Sequence, residues 1–392
     1  MTMQRNIYKP KTKLRNPPRK HLKTLLQFSL LFCLLIPIFT VFAFADTPEY
    51  AVEHWLDKLR DILPDAISDK VQISDEEDVS KLVGIPYILS LIYGGLTDKL
   101  PSLMGVLASM FGMALLGGMS GLLQDGIKGE QTQKVVGVVL SAGLSLALYE
   151  MTFPALWRGL SAIADITDFT SALVPIMGGV YVAGGNYATA ATQSGALTWL
   201  VAELNALSNG ILRSLMSASF AFALLGALGT GVDTSDIAKS LRRIVIVVMG
   251  VIATLFSGSL ALQTTLSAST DSVAMRTAKY AVGQMIPTVG STISGTLSTV
   301  AVSVGLIKST VGAGGVGILL ALLLPPLVEL YLFSLSLSLS KSFCALLGFR
   351  TGEKLFADFQ SIFDMAMGVL AISGVMLLLS LGIFMKSTVA VG

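Results

Sequence analysis

Two histidines and two cysteines are all that this chain of 392 residues contains. His21 and Cys33 both fall in the amino-terminal stretch read below as a leader, so a processed chain keeps only His54 and Cys344. One thiol cannot form an internal disulfide. One imidazole leaves zinc sites and histidine-based triads almost without material. Charge is scarce as well: 13% of residues are charged against 53% hydrophobic, well outside the usual composition of a soluble domain. Most of that apolar surface is expected to face lipid.

The formal net charge of +2 conceals a polarity along the chain. Of the 27 Lys and Arg, eight lie in the first 24 residues, where there is no Asp or Glu. Without them, 19 basic residues face 25 acidic ones, a net of −6. Nucleic acid is therefore a poor partner for the remaining chain.

Residues 1–24 are basic and punctuated by proline, Leu25 to Phe44 are apolar, and Ala43-Phe44-Ala45 supplies small residues of the kind a signal peptidase accepts. The pattern predicts a secretory signal over residues 1–45, cleaved after Ala45, with an uncleaved anchor as the alternative. Either way, Asp46 onward starts outside the cytoplasm. Residues 46–100 carry eleven carboxylates between Asp46 and Asp78. The spacing of Trp55, Leu56, Leu59, Ile62 and Leu63 predicts a short amphipathic helix, so this reads as an acidic, helical extracytoplasmic region.

From Pro101 to the end the composition is that of a multi-spanning, all-α membrane domain of about six to eight membrane segments. About 20 helical residues cross about 30 Å of hydrocarbon, and spans are predicted over 101–123, 135–157, 211–232, 244–266, 311–339 and 365–385. Residues 169–202 and 280–307 are uncharged except for Lys279 just before the second, and rich in Gly, Ser, Thr and Pro; they read equally as full spans, broken helices or re-entrant segments. With an exterior start, a re-entrant 169–202 places Lys128, Lys134, Lys239, Arg242 and Arg243 in the cytoplasm, as the positive-inside rule prefers.

Chemistry-bearing patterns are few. Gly118-Met-Ser120-Gly121 matches the serine motif of rhomboid-type intramembrane proteases, but no membrane segment contains the histidine that such a serine needs. Close helix packing by small residues is the simpler reading. Glu150 and Glu329 lie in apolar segments, where a carboxylate must be paired, hydrated or protonated. Structural roles are expected, Glu150 near a span end and Glu329 paired across an interface or protonated. From Ile286 to Ile307 apolar residues recur every three or four positions, leaving Ser291, Gly295 and Ser298 on a small polar face suited to close packing or to a wet passage. Lys279 and Lys308 flank that segment and read as anchors near the headgroups, replaceable by Arg. Lys308-Ser-Thr-Val-Gly312-Ala-Gly-Gly315 lacks the ending of a phosphate-binding loop; its glycines predict a bend or tight packing, and Pro325-Pro326 a kink. Further on, Ser334, Ser338 and Lys341 fall on one helical face. No metal-ligating or cofactor-binding pattern is present.

One succession resembles a family: Thr270-Asp271-Ser-Val, Arg276-Thr-Ala-Lys279-Tyr, Ile286-Pro287-Thr-Val-Gly290, then Leu306-Ile-Lys308-Ser-Thr-Val-Gly312 and Gly315-Val. It is similar to the stage III sporulation protein AE family, in which the corresponding runs are Lys-Thr-Ala-Lys, Ile-Pro-Val-Val-Gly and Lys-Asn-Thr-Val-Gly. Arg276 and Ser309 depart conservatively. The specific likeness covers about residues 268–320 and none of it is catalytic.

The resemblance implies a multi-pass protein in the mother-cell membrane surrounding the forespore, a structural or pore-associated subunit of a secretion-like channel complex. The partners it implies are the other stage III sporulation A proteins, including a cytoplasmic ATPase, and indirectly stage II sporulation protein Q. Assembly or pore candidates are then Arg276, Lys279, Pro287, Gly290, Ser291, Gly295, Ser298, Lys308 and Gly312. A self-sufficient transporter built on discontinuous helices is the alternative.

Overall fold

A computed structural model describes residues 81–82, 84–125, 130–183, 186–227, 237, 240–259 and 290–386, with backbone alone at 121–125, 130, 134, 227, 290–304, 306 and 386. The signal and its cleavage residues Ala43 and Ala45, the acidic stretch before Lys81, and Arg276, Lys279 and Pro287 lie outside the described residues. Every regular element among the described residues is helical. They are α1 (Ile85–Asp125), α2 (Glu130–Ala183), α3 (Tyr187–Ala206), α4 (Arg213–Ala227), α5 (Ser240–Ser259), α6 (Gly290–Leu346) and α7 (Arg350–Lys386). Five helical stretches, on α1, α2, α5, α6 and α7, are long and apolar enough to cross a membrane.

Several helices are much longer than a bilayer requires. The 54 residues of α2 and the 57 of α6 extend to roughly 80–85 Å at the helical rise, against about 30 Å of hydrocarbon. Buried hydroxyls fit into these rods because they bond within their own helix, as Thr152 does to the Leu148 carbonyl and Ser340 to that of Ser336, both at 2.8 Å. The uncharged segment 169–202 is divided: its first part completes α2, and its later part forms α3, which starts at Tyr187. The Asn186 N–H donates to the Tyr181 carbonyl at 2.9 Å and the Asn186 carbonyl accepts from Ala190 at 2.8 Å. Beyond α3, a six-residue π segment (Leu207–Leu212) continues into α4, and the three pieces run back along α2. Thr167 pairs with Asn205 and Ser208 with the Leu160 carbonyl, while Tyr149 and Phe153 meet Phe220.

The described part of 280–307 takes another course. From Gly290 it is helical and passes without interruption into the predicted span 311–339, so the two form one helix, α6. The prolines at 325 and 326 lie inside that helix. At its end Gly348 takes φ 71°, and the Phe349 N–H reaches the Cys344 carbonyl while that of Gly348 reaches Ala345. This is a Schellman stop, which favours glycine, and it turns the chain into α7.

The core is organised around α6. α7 returns antiparallel to it, with Phe333 stacked on Phe363 and Gly374 against Leu323. α2 is also antiparallel, with Gly159 against Leu330 and Leu173 against Gly315. α1 is parallel: Leu82 meets Gly317, Gly95 meets Pro325, Phe111 meets Phe343 and Gly117 meets Phe349. α5 lays Val245, Met249, Ile252 and Phe256 inward, all buried.

Candidate functional site

Three helices bring charge to one point. Glu329, on α6 and 6% exposed, accepts a hydrogen bond from Arg158 Nε of α2 at 3.0 Å, and the same oxygen accepts Arg158 Nη2. Its other oxygen lies 3.1 Å from Lys99 Nζ of α1. Of the two expectations for Glu329, pairing across an interface is the one found. Close approach of the backbones brings the three side chains within reach. Gly159, next to Arg158, packs so closely that a Cβ there would lie 2.7 Å from the Leu330 methyls, and Gly95, one turn before Lys99, sits against Pro325 and Val328. One carboxylate and two cations leave the cluster with a net positive charge. Both cations are partly exposed, at 54% for the Arg158 side chain and 38% for Lys99, so bulk solvent or lipid headgroups complete their environment.

Sequence reasoning missed Arg158 and Lys99 because both lie one or two residues outside predicted spans, at 157 and 101. It missed Asp364 in the same way. That carboxylate, one residue before the span 365–385, accepts the Ser334 hydroxyl, while Lys341 reaches Gln360 at 3.1 Å; Ser334 and Lys341 do share the face turned to α7. Arg242, grouped with Arg243 in the sequence, parts from it in space: Arg243 is exposed, whereas Arg242 is 8% exposed and points to Asp358 at 3.9 Å.

Lys308 corrects the expectation of a headgroup anchor. It lies inside α6, 2% exposed, with its ammonium 5.2 Å from the Tyr181 ring of α2 and 5.9 Å from Phe384 of α7. Those two rings meet edge to face at 5.0 Å. A cation held between aromatic faces in a desolvated place gains more than at the surface. One turn on, Gly312 packs so tightly that a Cβ would overlap Met385, which supports the tight-packing reading of these glycines.

The other predicted residues are dispersed. Gly290 opens α6, and Ser291, Gly295 and Ser298 follow on the same helix, their side chains outside the described residues. Lys308 and Glu329 stand some 30 Å apart along α6, so they do not form one site. Glu150 is exposed on α2. Ser120 bonds to the Gly117 carbonyl at 2.6 Å, and a Cβ at Gly117 would overlap the Phe349 ring. That is close packing. No group of His, Cys, Asp and Glu among the described residues is arranged to hold a metal.

Comparison with known families matches stage III sporulation protein AE over residues 74–388, which takes in every helix described above. The chain belongs to the stage III sporulation protein AE family. Its likeness to the stage III sporulation protein AE of Bacillus subtilis (strain 168) is 26% identity over 208 residues, 53% of this chain and 52% of that protein. The match therefore spans about half the length of that relative. No solved structure matches the chain. Membership in the family, with the apolar helices, supports a sporulation-related membrane protein, and the Glu329 and Lys308 junctions lie within the matched region.

Proposed function

We propose that this chain is a membrane subunit of a sporulation-specific, secretion-like channel complex between mother cell and forespore, structural or pore-associated and without enzyme chemistry of its own. Its place is then the mother-cell membrane surrounding the forespore. Its partners are the other stage III sporulation A proteins, including a cytoplasmic ATPase, and indirectly stage II sporulation protein Q. The family match over residues 74–388 carries this reading. The side chains favour it as well: the buried carboxylate of Glu329 pairs across helices with Arg158 and Lys99.

Cross-linking in sporulating cells, followed by identification of captured proteins, tests the assignment. Capture of the other stage III sporulation A proteins is expected. Recovery of the chain from native membranes free of them, with substrate flux by the purified protein in liposomes, would instead make it a self-sufficient transporter.

A further inference from the structure

Three helices run level over the thickness of a bilayer. Gly159 and Leu173 of α2 lie on Leu330 and Gly315 of α6, so fourteen residues of one helix stand beside fifteen of the other. α7 keeps the same step, with Gly374 on Leu323 and Leu381 near Gly315. Phe220 of α4 ties the far end: it touches Tyr149 and Phe153 of α2 and Phe359 of α7, next to Gln360, which accepts from Lys341 of α6. Counted from these contacts, Glu150 is level with Leu339, Pro154 with Leu335 and Ser171 with Leu379. From Glu150 to Ser171 is about 30 Å at the helical rise, the depth of the hydrocarbon, and it runs alongside the predicted spans 311–339 and 365–385.

At equal height these helices present different surfaces. From Ile307 to Lys341 the exposed residues of α6 are Tyr331, Leu335 and Leu339, and from Leu355 to Met385 the exposed residue of α7 is Leu379. The same two helices hold the most apolar of the five candidate stretches, and their exposed charges, Arg350 and Lys354, stand beyond that height. From Ala147 to Tyr181, by contrast, α2 exposes Glu150, Arg158, Asp165, Asp168 and Ser171, and otherwise only prolines. Helical spacing sets these on one stripe, turned away from Gly159 and Leu173, which meet α6. Leu335 and Leu339 fall on the flank of α6 away from Glu329 and Leu330, and so away from α2. The helices beside the stripe are mixed: α1 exposes Leu89, Tyr93 and Leu100 with Thr97 and Asp98, and α3 exposes Tyr187 and Trp199 with Thr198 and Glu203. α5 exposes Ile246, Val251 and Leu255 after Arg243. Apolar surface and charge therefore divide by side and not by height. Arg158 turns to Glu329, but no described cation pairs with Glu150, Asp165 or Asp168. Against hydrocarbon, three such carboxylates would be very costly.

We infer that the α2 stripe from Glu150 to Ser171 borders a water-filled passage at bilayer depth, while α5, α6 and α7 turn their exposed residues to lipid. This rests on the proposed channel subunit and names its wetted wall; α1 and α3 form the edges at which lipid gives way to water. In an assembly symmetric about the membrane normal, each residue recurs at one height in every copy. Asp165 and Asp168 then face their own kind, so copies stand apart with water between them and do not close dry. Because the stripe carries acid, base and acid in turn, it suits water and polar solutes without selecting one sign of charge.

The test uses the full chain in membranes of sporulating cells, opened by sonication so that both sides are reached, with Cys33 and Cys344 replaced by alanine. Each variant carries one cysteine at an exposed position and meets a small charged thiosulfonate; the thiols left are counted by a mass tag on gels. Only thiolate reacts, and it forms in water, so Glu150→Cys, Pro154→Cys and Ser171→Cys should react at least about tenfold faster than Leu339→Cys, Leu335→Cys and Leu379→Cys at the same heights. Equal rates within the pairs overturn the inference. If both members react, that height stands in water outside the bilayer; if neither does, lipid or a partner covers α2. Each pair is scored by itself, so a variant that fails to accumulate leaves the other pairs to decide. Capture of sporulation partners together with unreactive α2 cysteines removes the passage and keeps the subunit. Reactive α2 cysteines in a chain that captures no partner keep the wetted wall and remove the subunit.

Discussion

Arg158 gives two of its N–H groups to one oxygen of Glu329, 171 residues further along the chain, and leaves the other oxygen to Lys99. The burden is uneven, because the carboxylate is buried while both cations keep contact with their surroundings.

That unevenness predicts an order of stabilities. Lys99→Ala with Arg158→Ala strands a buried carboxylate and should cost about 3–5 kcal/mol. Glu329→Ala strands two half-exposed cations and should cost less, about 1–2 kcal/mol. Glu329→Leu in the doubly substituted chain should recover most of the loss, as apolar replacements of buried ion pairs do. Thermal unfolding of the three purified proteins in one detergent measures the order.

At Lys308 the expectation from sequence, that Arg would serve as well, gives way to a different one. Lys308→Met keeps the bulk between Tyr181 and Phe384 but removes the cation, and should cost about 1–2 kcal/mol. Lys308→Arg adds volume to a closed place and should also destabilise. Gly312→Leu, which must displace Met385, should be the worst of the three. Equal melting temperatures for Lys308→Arg and the parent would restore the headgroup reading.

The hairpin of α2 and α3 can be locked. A Cβ built at Gly178 comes within 3.1 Å of Ser194 Oγ, so cysteines at 178 and 194, with Cys344 replaced, should form a disulfide on mild oxidation. A matched pair at 178 and 198 should not. Mobility on non-reducing gels, with and without reductant, reads the outcome.

For the helix that begins at Gly290, Ser291→Leu, Gly295→Leu or Ser298→Leu should lower spore formation at matched membrane levels, while conservative apolar swaps at Ile293 or Leu297 should be tolerated. Normal sporulation of the bulky variants would remove any role for that face.

Much of this architecture could be read from residues alone. The all-helical character followed from long uncharged stretches, whereas for 169–202 the sequence left a full span, a broken helix and a re-entrant segment open, and the described residues divide it between α2 and α3. The shared face of Ser334 and Lys341 followed from helical spacing. Pairing between distant helices did not. Nothing near Glu329 in sequence points to Lys99 or Arg158, and ending the spans at the first charge put those cations outside them. The continuity of α6 was equally hidden, since Pro325-Pro326 and the glycines before it resemble interruptions in sequence while neighbouring helices hold the backbone straight enough to remain helical. The burial of Lys308 depends on Tyr181 and Phe384, contributed by two other helices, and no local pattern announces it.

The parallel pairing of α1 with α6 has a consequence in time. Lys99 and Arg158 leave the ribosome long before Glu329 does, by roughly 10–45 s at ordinary rates of synthesis. During that interval α1 and α2 hold unpaired cations and an open groove where α6 will lie, so the nascent chain depends on lipid phosphates or on a chaperone to shield them. A chain cut short before residue 329 has no later element to complete the junction and should be degraded, and the final third of translation thereby acts as the checkpoint for the first.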